Sequence, residues 1–150
     1  MTGERDRVMD ERAEGIGQEA DVLEPLVSAE RIARIDAVLA NRLVSITAVF
    51  ENIFDPHNVG ACLRTCDAYG VQDLHVITDQ YGYRLPPSIT MSAHQWLTLH
   101  THKTTEQCIE RLRDGGFSIW VSDLQAEQTL AELPVGEQKI AVVIGNERDG

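Results

Sequence analysis

The residues best suited to chemistry lie in a short polar segment that links a predicted strand to a predicted helix. Asp55, Pro56, His57 and Asn58 form the turn, and Arg64 follows Asn58 by six positions inside the helix. Backbone N–H groups at a helix start, together with the side-chain amide of Asn58, suit an anionic group such as phosphate. The guanidinium of Arg64 could bind a phosphate.

Each of these residues has a structural explanation as well. Asn58 is a suitable N-cap residue for the helix. Arg64 could instead form a surface ion pair with Asp67, which lies three positions further along the helix. From the spacing alone the structural explanation is the commoner one for both residues, and the functional one stays open.

A second polar segment, Gly145, Asn146 and Glu147, directly follows an apolar stretch at 139–144. A glycine after a buried strand lets a ligand approach the backbone closely. The carboxylate of Glu147 could orient an arginine or bind a hydroxyl group. An ordinary turn accounts for the same three residues, so this segment alone does not define a site.

The elements that must position these residues alternate along the chain. The sequence predicts strands at 45–50, 74–78, 96–101, 117–122 and 139–144, and helices at 29–43, 58–69 and 104–114. This alternation is typical of a parallel α/β sheet, which binds ligands at the carboxyl ends of its strands. The loops that follow strands are therefore the expected location of a site, and those richest in polar residues are 52–58, 122–126 and 145–150.

Composition divides the chain into three parts. Residues 1–27 alternate charged residues with glycine and alanine, which predicts a mobile acidic extension. Residues 28–44 are predicted to form a helix with Ser28 as its N-cap. Residues 45–150 are predicted to form the α/β domain. Three arginines lie on the polar side of the helix, either as solvated surface or facing RNA: Arg31, Arg34 and Arg42.

The net charge of −11 opposes a simple nucleic-acid binder, whose surface is usually basic. Residues 1–28 contribute eight acidic residues against three arginines, so much of the excess lies outside the α/β domain. Any contact with RNA must therefore come from a local basic patch.

Metal, membrane and export functions have little support. Cys62, Cys66 and Cys108 lack zinc-ligand spacing and are expected to be reduced, packed thiols in a cytoplasmic protein. The histidines show no metal-ligand spacing either, so no metal is expected, and His100 and His102 alternate on one strand in a solvated or hydrogen-bonded role. The chain has neither a run of about 18 apolar residues nor a secretory signal, so no membrane span is expected.

The segment 58–70, with the pattern N-V-G-x-x-x-R-T-x-D-A-x-G, resembles the first motif of the SpoU (TrmH-like) family of RNA ribose 2'-O-methyltransferases. Three later segments resemble further motifs in the family's order: 92–96, 117–124 and 144–150. The resemblance covers roughly residues 30–150. The turn at 55–58 and the helix before it are most similar to the tRNA-type members, which methylate guanosine.

The resemblance implies a Rossmann-like α/β knot, S-adenosylmethionine as cofactor, and a homodimer that binds a structured RNA across its subunit boundary. It places Asn58 and Arg64 in the catalytic centre, with Arg64 closest to the ribose and Glu147 supporting that arginine or the subunit contact. RNA contacts are expected from His57, Asn58, Arg64, Arg31, Arg34 and Arg42. The cofactor pocket is expected to be lined by Ser122, Asp123, Leu124, Gly145 and Asn146.

The resemblance also predicts that the family's third motif lies beyond position 150. The chain is therefore expected to be incomplete, to lack most of the knot segment, and to bind S-adenosylmethionine poorly by itself. The leading interpretation is 2'-O-methylation of tRNA, or otherwise of rRNA. A non-catalytic RNA-binding or dimerisation module that keeps the fold is the alternative. A third interpretation, an unrelated nucleotide-binding α/β domain, rests on the sheet pattern alone.

Overall fold

The computed structural model describes residues 22–78, 93–134, 136 and 138–146. Within it the chain separates into two compact units, Met1–Asn41 and Arg42–Gly150. The predicted acidic extension falls mainly on residues 1–21, which lie outside the described residues. No helix in the described part of the chain has the length and apolar composition needed to cross a lipid bilayer.

The first unit contains helix α1 (Ala29–Leu39). The hydroxyl of Ser28 accepts a hydrogen bond from the N–H of Arg31 over 3.3 Å, which confirms the predicted N-cap. The helix ends four residues earlier than predicted. The side-chain amide of Asn41 donates to the carbonyl oxygen of Ala37 over 2.7 Å and so satisfies one of the carbonyl groups left unpaired at the helix end.

The second unit is built on five parallel strands. These are β1 (Ile46–Glu51), β2 (Asp73–Ile77), β3 (Thr98–His102), β4 (Phe117–Val121) and β5 (Lys139–Ile144). The strand order in the sheet is β3-β2-β1-β5-β4, and every neighbouring pair is parallel. The predicted parallel α/β sheet is confirmed. The apolar strand β5 lies in the interior of the sheet, as its sequence indicated.

Helix α2 (Pro56–Ala68) connects β1 to β2 and begins two residues earlier than predicted. Asp55 is its N-cap, and the Asp55 carboxylate accepts a hydrogen bond from the N–H of His57 over 2.8 Å. Pro56 occupies the first turn, where its fixed φ suits a helix and its missing N–H costs nothing. The N-cap explanation of Asn58 is therefore wrong, because this residue lies within the first turn. Gly70, with φ of 79°, follows the helix in the left-handed conformation that favours glycine.

Helix α3 (Thr105–Asp114) connects β3 to β4, and Thr104 is its N-cap. The Thr104 hydroxyl accepts a hydrogen bond from the N–H of Gln107 over 3.3 Å. Gly116, with φ of 77°, follows the helix and lets the chain turn directly into β4.

The helices of the second unit cover opposite faces of the sheet. On one face, Val59 and Leu63 of α2 pack against side chains of β1 and β2: Phe50, Leu74 and Val76. On the other, Cys108 and Leu112 of α3 pack against Val49, Ile77, Ala141 and Val143. Each fully buried aliphatic or aromatic side chain contributes about 1.5–3 kcal/mol to folding. Because both faces are covered, the carboxyl edge of the sheet is where the loops can form a site.

Candidate active site

A cavity of about 140 Å³ lies at the carboxyl ends of β1 and β5. Its wall is mostly apolar and consists of Phe50, Ile53, Val59, Cys62 and Ile144, and two of the predicted site residues, Asn58 and Gly145, complete it. The sheet explains why they meet: β1 and β5 are neighbours in which Phe50 lies beside Ile144, so the loops that follow start side by side.

A hydrogen bond between Asn146 and Asn52 joins these two loops. The side-chain amide of Asn146 donates to the carbonyl oxygen of Asn52 over 2.6 Å. The N–H of Asn52 in turn donates to the carbonyl oxygen of Ile77, at the end of β2, over 3.1 Å. Asn52 has a φ of 49°, in the left-handed region that asparagine tolerates better than most residues. Asn146, predicted as a cofactor contact, is thus placed where it holds the turn out of β1.

The start of α2 is not arranged as an anion site. The N–H of His57 donates to the Asp55 carboxylate over 2.8 Å, and the N–H of Asn58 donates to the Asp55 carbonyl oxygen over 3.0 Å. Pro56 has no N–H to offer. The prediction that free N–H groups bind phosphate at this turn is therefore wrong, because an aspartate already uses them and its negative charge repels an anion.

Helix α2 sets the positions of Asn58 and Arg64. Asn58 and Cys62 are four residues apart and so share one face of the helix, where both line the cavity. Arg64 lies about 9 Å further along the helix axis than Asn58, is exposed, and does not belong to the cavity wall. His57 is exposed in the first turn of the same helix. The catalytic roles of Asn58 and Arg64 stay predictions.

The predicted pairing of Arg64 with Asp67 is replaced by a pair with Arg42. The Arg42 guanidinium lies 2.7 Å from the Asp67 carboxylate and also donates to the Asp67 carbonyl oxygen over 3.3 Å. The Arg42 side chain is only 10% exposed. A cation at the last turn of α2 also interacts favourably with the helix dipole. This geometry contradicts the expectation that Arg42 faces RNA, whereas Arg31 and Arg34 are exposed on α1.

The loop after β4 holds the other predicted cofactor residues at the same edge of the sheet. The N–H of Ser122 donates to the Val143 carbonyl oxygen over 3.0 Å, which extends the pairing with β5 by one residue. The Asp123 carboxylate accepts a hydrogen bond from the N–H of Gln125 over 2.7 Å and forms a local turn. Leu124 is fully exposed. None of these three lines the cavity, and Glu147 lies outside the described residues.

Sequence reasoning missed Cys62 and Asn52. The position of Cys62, four residues after Asn58, could have indicated a shared helix face. The preference of asparagine for left-handed turns was the only signal for Asn52. Burial, with Cys62 as a second cause, raises the pKa of the Cys66 thiol to about 11, so this thiol is protonated at neutral pH and is a poor nucleophile.

A parallel α/β domain with an apolar cavity at the carboxyl ends of two neighbouring strands defines a class of ligand-binding α/β proteins. Within that class, the model of the SpoU rRNA Methylase family matches residues 45–150. The chain therefore belongs to this family, as its motifs indicated.

Curated and solved relatives agree with this assignment. A tRNA (guanosine(18)-2'-O)-methyltransferase from Borreliella burgdorferi is 33% identical over 129 residues, which make up 86% of this chain and 59% of the relative. The chain thus spans less than two thirds of that protein's length.

A solved TrmH/SpoU tRNA-modifying enzyme from Aquifex aeolicus superposes with a TM-score of 0.68 and 26% identity, over 79% of this chain and 61% of the other. An AdoMet-bound rRNA methyltransferase from Sinorhizobium meliloti gives a TM-score of 0.64 over 75% of this chain and 44% of the other. At 18% identity, the second likeness concerns the fold alone.

Proposed function

We propose that these residues belong to an S-adenosylmethionine-dependent enzyme that methylates the 2'-hydroxyl of a ribose in a structured RNA. The observation that carries the proposal is the family match over residues 45–150, whose first-motif residue Asn58 and second-motif residue Gly145 line one cavity. A guanosine in tRNA is the proposed target ahead of rRNA, because the curated relative described above is a tRNA (guanosine(18)-2'-O)-methyltransferase.

The apolar residues at the carboxyl edge of the sheet suit the apolar parts of the cofactor. When bound, S-adenosylmethionine supplies an activated methyl group on a sulfonium. The apolar wall formed by Phe50, Ile53 and Ile144 can hold its apolar parts, and Gly145 lets the backbone approach. At about 140 Å³ the cavity is smaller than the roughly 300–1,000 Å³ of most ligand pockets. We therefore assign these residues to one wall of the cofactor site.

The remaining cofactor contacts are proposed for the neighbouring loop. Ser122, Asp123 and Leu124 follow β4, which pairs with β5, so they border the same edge as Gly145. Asn146 acts as a positioning residue, since its amide holds the Asn52 carbonyl group.

Arg64 is proposed to bind the RNA phosphate beside the target ribose and to orient the 2'-hydroxyl. A guanidinium stays protonated at neutral pH, so it serves poorly as a base but stabilises the negative charge that develops on the hydroxyl oxygen. Holding that oxygen in line with the methyl group would supply much of the rate. Asn58 assists at the cavity wall, and Glu147 supports Arg64 or the subunit contact.

RNA contacts outside the catalytic centre are proposed for His57, Arg31 and Arg34, which are all exposed. A homodimer is part of the proposal, because the resemblance to the SpoU family implies one. A cytoplasmic setting is proposed as well, because the reduced thiols expected of the three cysteines are typical of that compartment.

The test uses the full-length protein that contains these residues, incubated with radiolabelled S-adenosylmethionine and unmodified tRNA or rRNA transcripts. Nuclease digestion and mass spectrometry then locate the methyl group. We expect 2'-O-methylguanosine in tRNA. A folded protein that binds tRNA but transfers no methyl group would contradict the proposed enzymatic activity. It would favour the alternative of a non-catalytic RNA-binding module. Label in rRNA alone would refute the tRNA assignment.

A further inference from the structure

A cluster of two histidines and one cysteine lies beneath α3, on the face of the sheet opposite α2. His75 of β2, His102 of β3 and Cys108 of α3 each present one ligand atom, and these atoms all lie within 4.8 Å of one another. All three residues are buried, with exposed fractions of 5%, 9% and 0%. Neither the cavity nor the proposed transfer of a methyl group uses them.

The sheet and the helix together create this cluster. In the pairing of β2 with β3, His75 lies beside His100 and Ile77 lies beside His102. Because side chains alternate along a strand, His75 and His102 point to the same face, where the histidine rings stack with centroids 5.1 Å apart. Their nitrogens Nδ1 and Nε2 are 2.8 Å apart. Helix α3 then brings Cys108 over them.

The donor groups of this cluster suit a metal ion. A neutral imidazole nitrogen is the commonest metal ligand in proteins. A thiol that coordinates a metal binds as the thiolate and releases its proton to solvent.

We propose that His75, His102 and Cys108 bind a Zn²⁺ ion that ties α3 to strands β2 and β3. Two imidazole nitrogens and one thiolate sulfur form a donor set typical of zinc. Tetrahedral zinc places nitrogens about 3.3 Å apart and a nitrogen about 3.6 Å from the sulfur. The two imidazole nitrogens, 2.8 Å apart, must separate by about 0.5 Å. The thiol sulfur, at most 4.8 Å from either nitrogen, must approach by up to about 1.2 Å.

Charged groups around the cluster both favour and oppose a cation. The carboxylate of Glu51, at the end of β1, accepts a hydrogen bond from Thr105 and lies near Cys108, where its negative charge favours a cation. Arg111 of α3 lies near both histidines and opposes a cation. His100, which stacks on His75, is held by Asp73 over 2.8 Å. The negative charges of the Cys108 thiolate and of the nearby Glu51 carboxylate would balance the charge of Zn²⁺.

The experiment titrates Zn²⁺ and Co²⁺ into the purified, chelator-treated chain that carries Cys62→Ala and Cys66→Ala. In this background Cys108 is the sole thiol. We expect one tightly bound equivalent, the charge-transfer absorption of a cobalt–thiolate bond, and a Tm that rises with metal concentration. X-ray absorption at the zinc edge should show one sulfur neighbour beside nitrogen neighbours.

Two variants and a control locate the ion. Cys108→Ser and His102→Gln should each weaken binding at least about tenfold, whereas His57→Gln, which changes an exposed histidine on α2, should leave it unchanged. If a variant fails to fold, the zinc-edge spectrum of the chain that carries only Cys62→Ala and Cys66→Ala still tests the proposal. A sulfur neighbour of zinc in that chain must be Cys108. A spectrum without sulfur, or a Tm that does not respond to zinc, would overturn the proposal.

Discussion

The side-chain amide of Asn146 donates to the carbonyl oxygen of Asn52 over 2.6 Å, and this bond joins the loop after β5 to the loop after β1. These two loops carry Gly145 and Asn58 to the same cavity. The bond thus ties together two loops that the pairing of β1 with β5 already places side by side.

Removal of the hydrogen bond between Asn146 and Asn52 should impair cofactor binding more than it impairs the stability of the fold. Asn146→Ala is expected to lower the free energy of unfolding by about 0.5–1.5 kcal/mol, and to weaken S-adenosylmethionine binding by the full-length protein. Asn41→Ala is the matched control, because it removes a similar bond of 2.7 Å to the Ala37 carbonyl group in the first unit. Calorimetry and thermal melting measure both effects. Unchanged cofactor affinity in Asn146→Ala would mean that this bond does not position the site.

A second prediction follows from the left-handed conformation of Asn52, which has a φ of 49°. Asn52→Gly should be more stable than Asn52→Val, because glycine adopts this conformation without strain. Asn52→Val should lose about 1–2 kcal/mol or more, since a β-branched side chain is strained there. Urea unfolding of the two variants provides the comparison. Equal midpoints for glycine and valine would show that this turn does not require the left-handed conformation.

Substitution of Arg42, which pairs with Asp67, can distinguish a structural role of this arginine from an RNA-binding role. Arg42→Ala leaves the Asp67 carboxylate and the last turn of α2 without their cation, and should cost about 1–3 kcal/mol of stability. Arg34→Ala, an exposed arginine on α1, should change stability by less than about 0.5 kcal/mol. If Arg42 served RNA instead, its alanine variant would keep the wild-type Tm and lose only RNA affinity.

Much of the fold could be predicted because its cues are local and periodic. The apolar run at 139–144 indicated an interior strand, and β5 lies between β1 and β4. The rule that parallel sheets bind ligands at the carboxyl ends of strands placed the loops near Asn58 and Gly145 at one edge of the sheet. The pairing of β1 with β5 then brings these two residues to the same cavity.

Other features escaped prediction because they depend on competition between neighbouring residues or on contacts across elements. Asp55 and Asn58 are both good caps, and only the proline at the first helical position decides for Asp55. Arg42 looked like part of α1, but that helix ends at Leu39 and Arg42 belongs to the second unit.

The histidine and cysteine cluster escaped prediction for the same reason. His75 and His102 are 27 positions apart, and Cys108 joins them from a helix. Spacing along the sequence gives no sign of this arrangement, which arises only from the pairing of β2 with β3 and the packing of α3.

The most direct test of the account compares the rate of methyl transfer to tRNA by Arg64→Ala and by Arg113→Ala in the full-length protein. Arg113 is an exposed arginine of α3, on the face of the sheet opposite α2, and serves as the control. We expect Arg64→Ala to lower kcat by on the order of 100-fold or more. Arg113→Ala should stay within about twofold of the wild type. Equal rates in the two variants would contradict the proposed role of Arg64 in 2'-O-methylation.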